Sequence, residues 1–208
     1  RERARARRGG SGPRRWSFAA TAEVHSSVTA AARVLDCDVL EVPVDDSGRM
    51  TGRALAGALD RSDPDGLFGV VASAGTTNAG VIDDLAGAAE VCQESGLWMH
   101  VDGAYGAAAL VAPSVAELFV GIERADSFVV DPHKWLFAPF DCCALVYREP
   151  EHGSAAHSQF AGYLESLDRS DWNPADYAVH LSRRARGLPF WFSLATYGTD
   201  RYRDAVET

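Results

Sequence analysis

Short apolar runs ending in polar or glycine-containing turns recur through the middle of the chain: Gly69 to Ala74, Leu97 to Val101, Ser127 to Val130 and Cys143 to Tyr147. Continuous runs of this length, bounded by turn residues, predict buried strands. Between them the period changes. From Asp84 to Ser95, the residues Leu85, Ala88, Ala89 and Val91 form an apolar stripe, and Gly96 supplies a helix stop. Ser26 to Leu35 and Ser114 to Glu123 are two further predicted helices. Strands alternating with helices imply βαβ crossovers. The fold class expected is therefore α/β, with a mainly parallel sheet covered by helices on both faces.

In such sheets a ligand binds beyond the carboxyl ends of the strands. Three polar clusters fall at those ends: Ser73-Ala74-Gly75-Thr76-Thr77, Asp102-Gly103-Ala104-Tyr105 and Asp131-Pro132-His133-Lys134. They are expected to converge on one crevice. No GxGxxG follows a strand and no GxxxxGK[ST] is present, so a dinucleotide or nucleoside-triphosphate loop is unsupported. Beyond Pro150 the sequence turns polar and glycine-containing to about Asp168 and then aromatic-rich, which reads as a loop followed by the start of another subdomain.

Charge changes the picture at one end only. The net charge is −9, and residues 1–15 hold seven Arg against one Glu, so the rest of the chain carries about −15. An acidic body argues against a nucleic-acid surface, which needs clustered Lys and Arg. The basic start reads as a solvated, flexible segment, with a nucleic-acid arm as the competing use. Four cysteines lack CxxC or His spacing, so neither zinc nor a disulfide framework is supported and a reduced, cytoplasmic setting is expected. No apolar run approaches membrane-spanning length, and no metal site or membrane partner is expected. The chain does not begin with Met, which suggests a fragment.

The most informative residue is a lysine. Of twenty basic residues nineteen are Arg, and Lys134 is the only Lys. An Arg side chain stays protonated, whereas a Lys amine can act as a nucleophile. A carboxylate at one strand end, Asp102, and a lone amine at the next suit an electron-sink cofactor: the amine binds its aldehyde and the carboxylate keeps its ring nitrogen protonated. His25 and His133 offer planar, titratable rings for stacking and proton relay, or are structural histidines. Gly103 and Ala104 would let a flat ring approach, or serve a tight turn. Thr76 and Thr77 could donate to a phosphate or phenolic oxygen, or cap the next helix.

Two stretches, His100 to Tyr105 and Ser127 to Trp135, resemble the signatures of the group II pyridoxal-5′-phosphate (PLP) dependent amino acid decarboxylases, with aromatic, glutamate, cysteine-sulfinate and diaminobutyrate branches. His25-Ser-Ser-Val28, Gly75-Thr-Thr77 and Phe140-Asp-Cys142 add to the likeness, which runs from about Val24 to the end. The last of these is most similar to the aromatic branch. The resemblance implies PLP fold type I, an aspartate-aminotransferase-like large domain, here incomplete. It also implies roles: Lys134 holds the cofactor aldehyde, Asp102 pairs with its ring nitrogen, His25 stacks on the ring and Ala104 packs on the other side. Thr77 and His133 would join the cofactor hydrogen-bond network. Asp131 stands where the aromatic branch has Asn near the phosphate. Tyr163, in Gly162-Tyr163-Leu164, resembles the loop tyrosine that reprotonates the product carbon, where relatives with Phe tend toward aldehyde formation.

The expected division is a basic segment at 1–23, a cofactor-binding core at 24–150, and a catalytic-loop region opening a further subdomain at 151–208. By the same resemblance the partners are an L-amino acid substrate and a second copy in a homodimer. The upstream phosphate-holding loop of the family has no counterpart in residues 1–23. The competing readings are another fold-type I PLP reaction, namely an aldehyde synthase, aldolase or desulfurase, and an inactive remnant serving as an interaction module.

Overall fold

A computed structural model describes residues 1–7, 9–62, 64–158 and 173–208. Among the described residues six strands form one sheet in the order β2-β1-β3-β4-β5-β6. They are β1 (Trp16–Ala20), β2 (Cys37–Glu41), β3 (Leu67–Ser73), β4 (Trp98–Asp102), β5 (Ser127–Val130) and β6 (Ala144–Tyr147). The first five pair in parallel and β6 joins β5 antiparallel. The helices are α1 (Glu2–Arg7), α2 (Ser26–Val34), α3 (Gly52–Asp60), α4 (Leu85–Ser95), α5 (Pro150–His157) and α6 (Gly187–Glu207).

Local chemistry explains where the helices start. Thr51 accepts from Ala54 N at α3, and Asp84 accepts from Gly87 N at α4. The other oxygen of Asp84 accepts from Gly52 N at 3.2 Å, so one carboxylate ties both helix starts together. Gly52 and Gly87 are needed at this contact, because a Cβ on Gly52 would lie 2.8 Å from the Gly87 backbone. Gly96, left-handed at φ 63°, ends α4.

Apolar residues bury on two sides of the sheet. Leu55 of α3, Leu85, Ala88 and Ala89 of α4, and Val70, Met99 and Val101 of the strands form the larger cluster. Phe18, Ala20, Ala32 and Cys37, with Val28, Phe68 and Val71 packed on them, form the smaller one beneath α2. Full burial of a side chain such as Leu55 contributes about 2 kcal/mol. Two buried carboxylates stitch backbone N–H groups that the ladder leaves over. Asp83 accepts from Met50 N and Ser73 N, each at 2.7 Å, and Asp126 accepts from Met99 N at 2.8 Å and from Arg148 at 3.1 Å.

Three expectations need correction. Ser114 to Glu123 is not an α-helix: two 3-10 segments, Pro113–Phe119 and Ile122–Arg124, are broken at Gly121. That residue has φ +102°, and a Cβ there would sit 2.4 Å from Ala86 N of α4, so the chain turns sharply where it meets the helix. The boundary at residue 23 does not fall at an edge of the fold, since Trp16–Ala20 is a strand lying between β2 and β3. The stretch after Pro150 opens as helix α5, and Val206 near the end of α6 packs into the larger core cluster. Among the described residues no helix is long and apolar enough to cross a membrane.

Candidate active site

The three polar clusters do meet. A cavity of about 1070 Å³ opens at the carboxyl ends of β3, β4 and β5, and its lining includes His25, Thr77, Asp102, Ala104, Asp131 and Lys134. These side chains come from four places in the chain: the start of α2 and the segments that end β3, β4 and β5. β4 ends on Asp102, whose Oδ1 accepts from Ala104 N at 3.2 Å, and the turn so closed brings Ala104 to the cavity wall. His25 is the N-cap of α2, with Nδ1 accepting from Ser27 N at 3.2 Å. The helix therefore starts at the cavity and fixes the imidazole at its mouth.

Lys134 follows β5 through the turn Asp131 to Lys134, closed by Lys134 N donating to Asp131 O at 2.9 Å. Its Nζ pairs with Asp131 Oδ2 at 2.9 Å, with the lysine side chain about one third exposed and the aspartate nearly buried. Thr76 is buried and uses Oγ1 to accept from Val81 N at 3.1 Å, closing a turn rather than capping a helix; Thr77 lines the cavity beside it.

Two expected residues stand elsewhere. The ring of His133 turns away to the backbone of Cys142, with Nδ1 2.6 Å from the carbonyl oxygen and 3.1 Å from the amide nitrogen, and it is absent from the cavity lining. Gly103 is small for packing reasons: a Cβ would meet Ala107 Cβ at 2.5 Å and Val129 O at 3.0 Å, so it lets the turn close on β5. Tyr163 lies outside the described residues.

Sequence reasoning passed over His100 and Trp98, which also line the cavity, and placed Tyr105 on the crevice without giving it a role. The missed signal was the period of two along β4, which puts residues 98, 100 and 102 on one face while Met99 and Val101 are buried on the other. Burial pushes the His100 imidazole below its ordinary range, an effect the Asp102 carboxylate opposes. Tyr105 stacks on Trp135, with ring centroids 5.1 Å apart, and places an aromatic shelf at the rim.

Residues 13–208 match the model of the pyridoxal-dependent decarboxylase conserved domain. The chain belongs to that family. It is 33% identical over 193 residues to an aromatic-L-amino-acid decarboxylase of Bacillus atrophaeus, covering 89% of this chain and 40% of the relative. It is 35% identical over 170 residues to a 3,4-dihydroxyphenylacetaldehyde synthase of Aedes aegypti, covering 79% and 33%. Among solved structures, Oryza sativa TDC with PLP and tryptamine superposes with a TM-score of 0.91 at 27% identity, covering 98% of this chain and 44% of that one. The chain thus spans about two fifths of the length of the Bacillus relative it matches. The family's cofactor is PLP, and the donor set fits it. An amine, a carboxylate at a strand end and an imidazole at a helix start share one cavity with a small residue, Ala104, in its wall.

Proposed function

We propose that the whole protein carrying this chain is a PLP-dependent carboxy-lyase that converts an L-amino acid, aromatic by preference, to its amine and CO₂. The observation that carries this reading is that the sole lysine, Lys134, opens on the same cavity as Asp102 and His25. Bound PLP supplies an electron sink for the pair of electrons left on the substrate when CO₂ departs. In the loaded protein Lys134 would hold PLP through Nζ, giving up Asp131 to do so. Asp102 would keep a proton on the ring nitrogen, His25 and Ala104 would flank the ring, and the Thr77 hydroxyl would donate to a cofactor oxygen. His133 supports the site indirectly, by anchoring the Cys142 backbone beside it. Tyr163 delivers the final proton. Acting as a cytoplasmic homodimer completes the reading and rests on the family likeness.

The aromatic preference is supported by the Tyr105–Trp135 shelf and by the names of similar proteins, among them the Bacillus decarboxylase. The Aedes relative, named as an aldehyde synthase, favours a second outcome at the same site. Tyr163 decides between them, and Tyr163→Phe is expected to divert part of the product from amine to aldehyde, a two-electron oxidation in which dissolved O₂ is reduced to H₂O₂ and the nitrogen leaves as ammonia, so H₂O₂ and ammonia are measured beside CO₂ release on a panel of L-amino acids.

The direct test is borohydride reduction of the PLP-loaded whole protein followed by peptide mass mapping. A phosphopyridoxyl mass on Lys134 is expected, and its absence there would overturn the reading.

A further inference from the structure

Trp98, His100 and Asp102 share the cavity face of β4, yet the reaction as proposed uses only the last. Trp98 Nε1 donates to Ser127 Oγ at 3.0 Å, and the same oxygen lies 2.9 Å from His100 Nδ1. An indole N–H can only donate. Ser127 Oγ has lone pairs enough to accept from both neighbours, but its hydroxyl is buried and His100 Nδ1 is the one acceptor within its reach among the described residues, so it accepts from Trp98 and gives its proton to His100 Nδ1. The neutral ring then carries its proton on Nε2. His100 and Ser127 are register partners across β4 and β5, so the relay is set by the sheet itself.

Charging the ring would make Nδ1 a donor too, and Ser127 would then accept from both neighbours with its own proton unplaced. Burial opposes that charge in any case. The titratable groups around the ring are Asp102 on the same strand and His25 on α2, with Tyr105, Asp131, Lys134 and Cys143 on the shared cavity wall. Tyr147 of β6 and His152 of α5 pack on Trp98.

We infer that His100 is a positioning residue: the Trp98–Ser127 relay fixes its proton on Nε2, so the ring next to Asp102 presents a donor without a charge. On the reading of Asp102 as partner of the ring nitrogen, from which this follows, the carboxylate keeps its negative charge for the cofactor. An imidazolium at position 100 would compete for it.

Proton–nitrogen correlation NMR of the histidine side chains in the whole protein, before PLP is added, reads the tautomer directly, with His100→Gln assigning the signal. The Nε2–H form is expected near neutral pH. Ser127→Ala should mix the tautomers and weaken PLP binding roughly 3- to 10-fold, and Ser127→Thr, which restores the hydroxyl, should recover both. An Nδ1–H or doubly protonated His100 in the wild type overturns the inference, as does a Ser127→Ala protein with unchanged tautomer and PLP affinity. If Lys134 takes no borohydride-trapped label in the wild type, the cofactor reading fails and this inference with it. A labelled Lys134 alongside an indifferent Ser127→Ala sinks the inference alone.

Discussion

Four aspartates placed around the same strands are used in opposite ways. Asp83 and Asp126 lie in the body of the fold and fill both oxygens: Asp83 with two backbone N–H groups at 2.7 Å, Asp126 with Met99 N and Arg148. Asp102 and Asp131 lie on the cavity, where Asp102 takes one backbone bond at 3.2 Å and Asp131 pairs with the amine of Lys134 at 2.9 Å. A carboxylate whose oxygens are filled by fixed backbone donors holds strands together and has nothing left for a ligand. One with capacity in hand can meet a ligand and contributes less to the fold.

The largest expected effect separates these uses in one experiment. Asp102→Asn keeps an oxygen for Ala104 N, so the thermal midpoint of the whole protein should hold while turnover falls by about two to three orders of magnitude, as for loss of a preorganised electrostatic partner. Asp83→Ala should do the reverse. It strands the buried Met50 and Ser73 N–H groups, which costs about 3 kcal/mol and, in a protein of the Bacillus relative's length, lowers the midpoint by roughly 3 °C. Burial already raises the Asp83 carboxyl despite its two donors, so part of the loss is offset by removing a desolvated charge. Calorimetry and CO₂ release on both variants check the contrast. An Asp102→Asn with a lowered midpoint, or an Asp83→Ala that keeps its midpoint, would erase it.

His100 stands between the two groups, half-buried, bonded to a neighbouring strand like the first pair and facing the cavity like the second. Its proton affinity is lowered in the fold by burial. Below about pH 6.5 the unfolded chain therefore binds more protons than the native one. Stability from this group is full above that point and falls as pH drops toward the lower folded value, with a slope limited to about 1.4 kcal/mol per pH unit. Asp45, Asp141 and Glu207 are held low by Ser47, Arg186 and Ser114 respectively, so their contributions are lost only further down, in the carboxylate range. Denaturant midpoints against pH should show the upper step in the wild type and lose it in His100→Gln.

The same contrast explains what could be read from the sequence. Strands β3, β4, β5 and β6 announce themselves because their apolar runs are continuous, and the polar residues that end β3, β4 and β5 fall on the cavity. β1 and β2 escape: Trp16–Ala20 follows an Arg-rich start, and Cys37–Glu41 begins and ends beside acidic residues. Their pairing partners are distant in sequence, Val39 beside Phe18 and Leu67 beside Ser17, and pairing of that kind leaves no local signal. The break at Gly121 depends on Ala86 arriving from α4, which no window around residue 121 contains. Lys134 and Asp102 were legible through residue type and position, whereas the orientation of His133 away from the cavity is a matter of which way a side chain leaves a turn.

The smallest expected effect is the sharpest check on the division between the pairs. Asp131→Asn removes the ion pair to Lys134 while keeping the size of the side chain. With the lysine side chain 36% exposed, the pair is screened by water, and its loss should change stability by less than about 1 kcal/mol. Borohydride labelling of Lys134 by PLP should persist, because the amine stays on the cavity whether or not Asp131 is charged. Chemical denaturation and mass mapping of the labelled peptide report the two quantities from the same preparation. Should Asp131→Asn instead cost as much stability as Asp83→Ala, then Asp131 is a structural carboxylate that happens to face the cavity. The amine of Lys134 would then be part of the scaffold in the free protein, released only when the aldehyde replaces Asp131 as its partner.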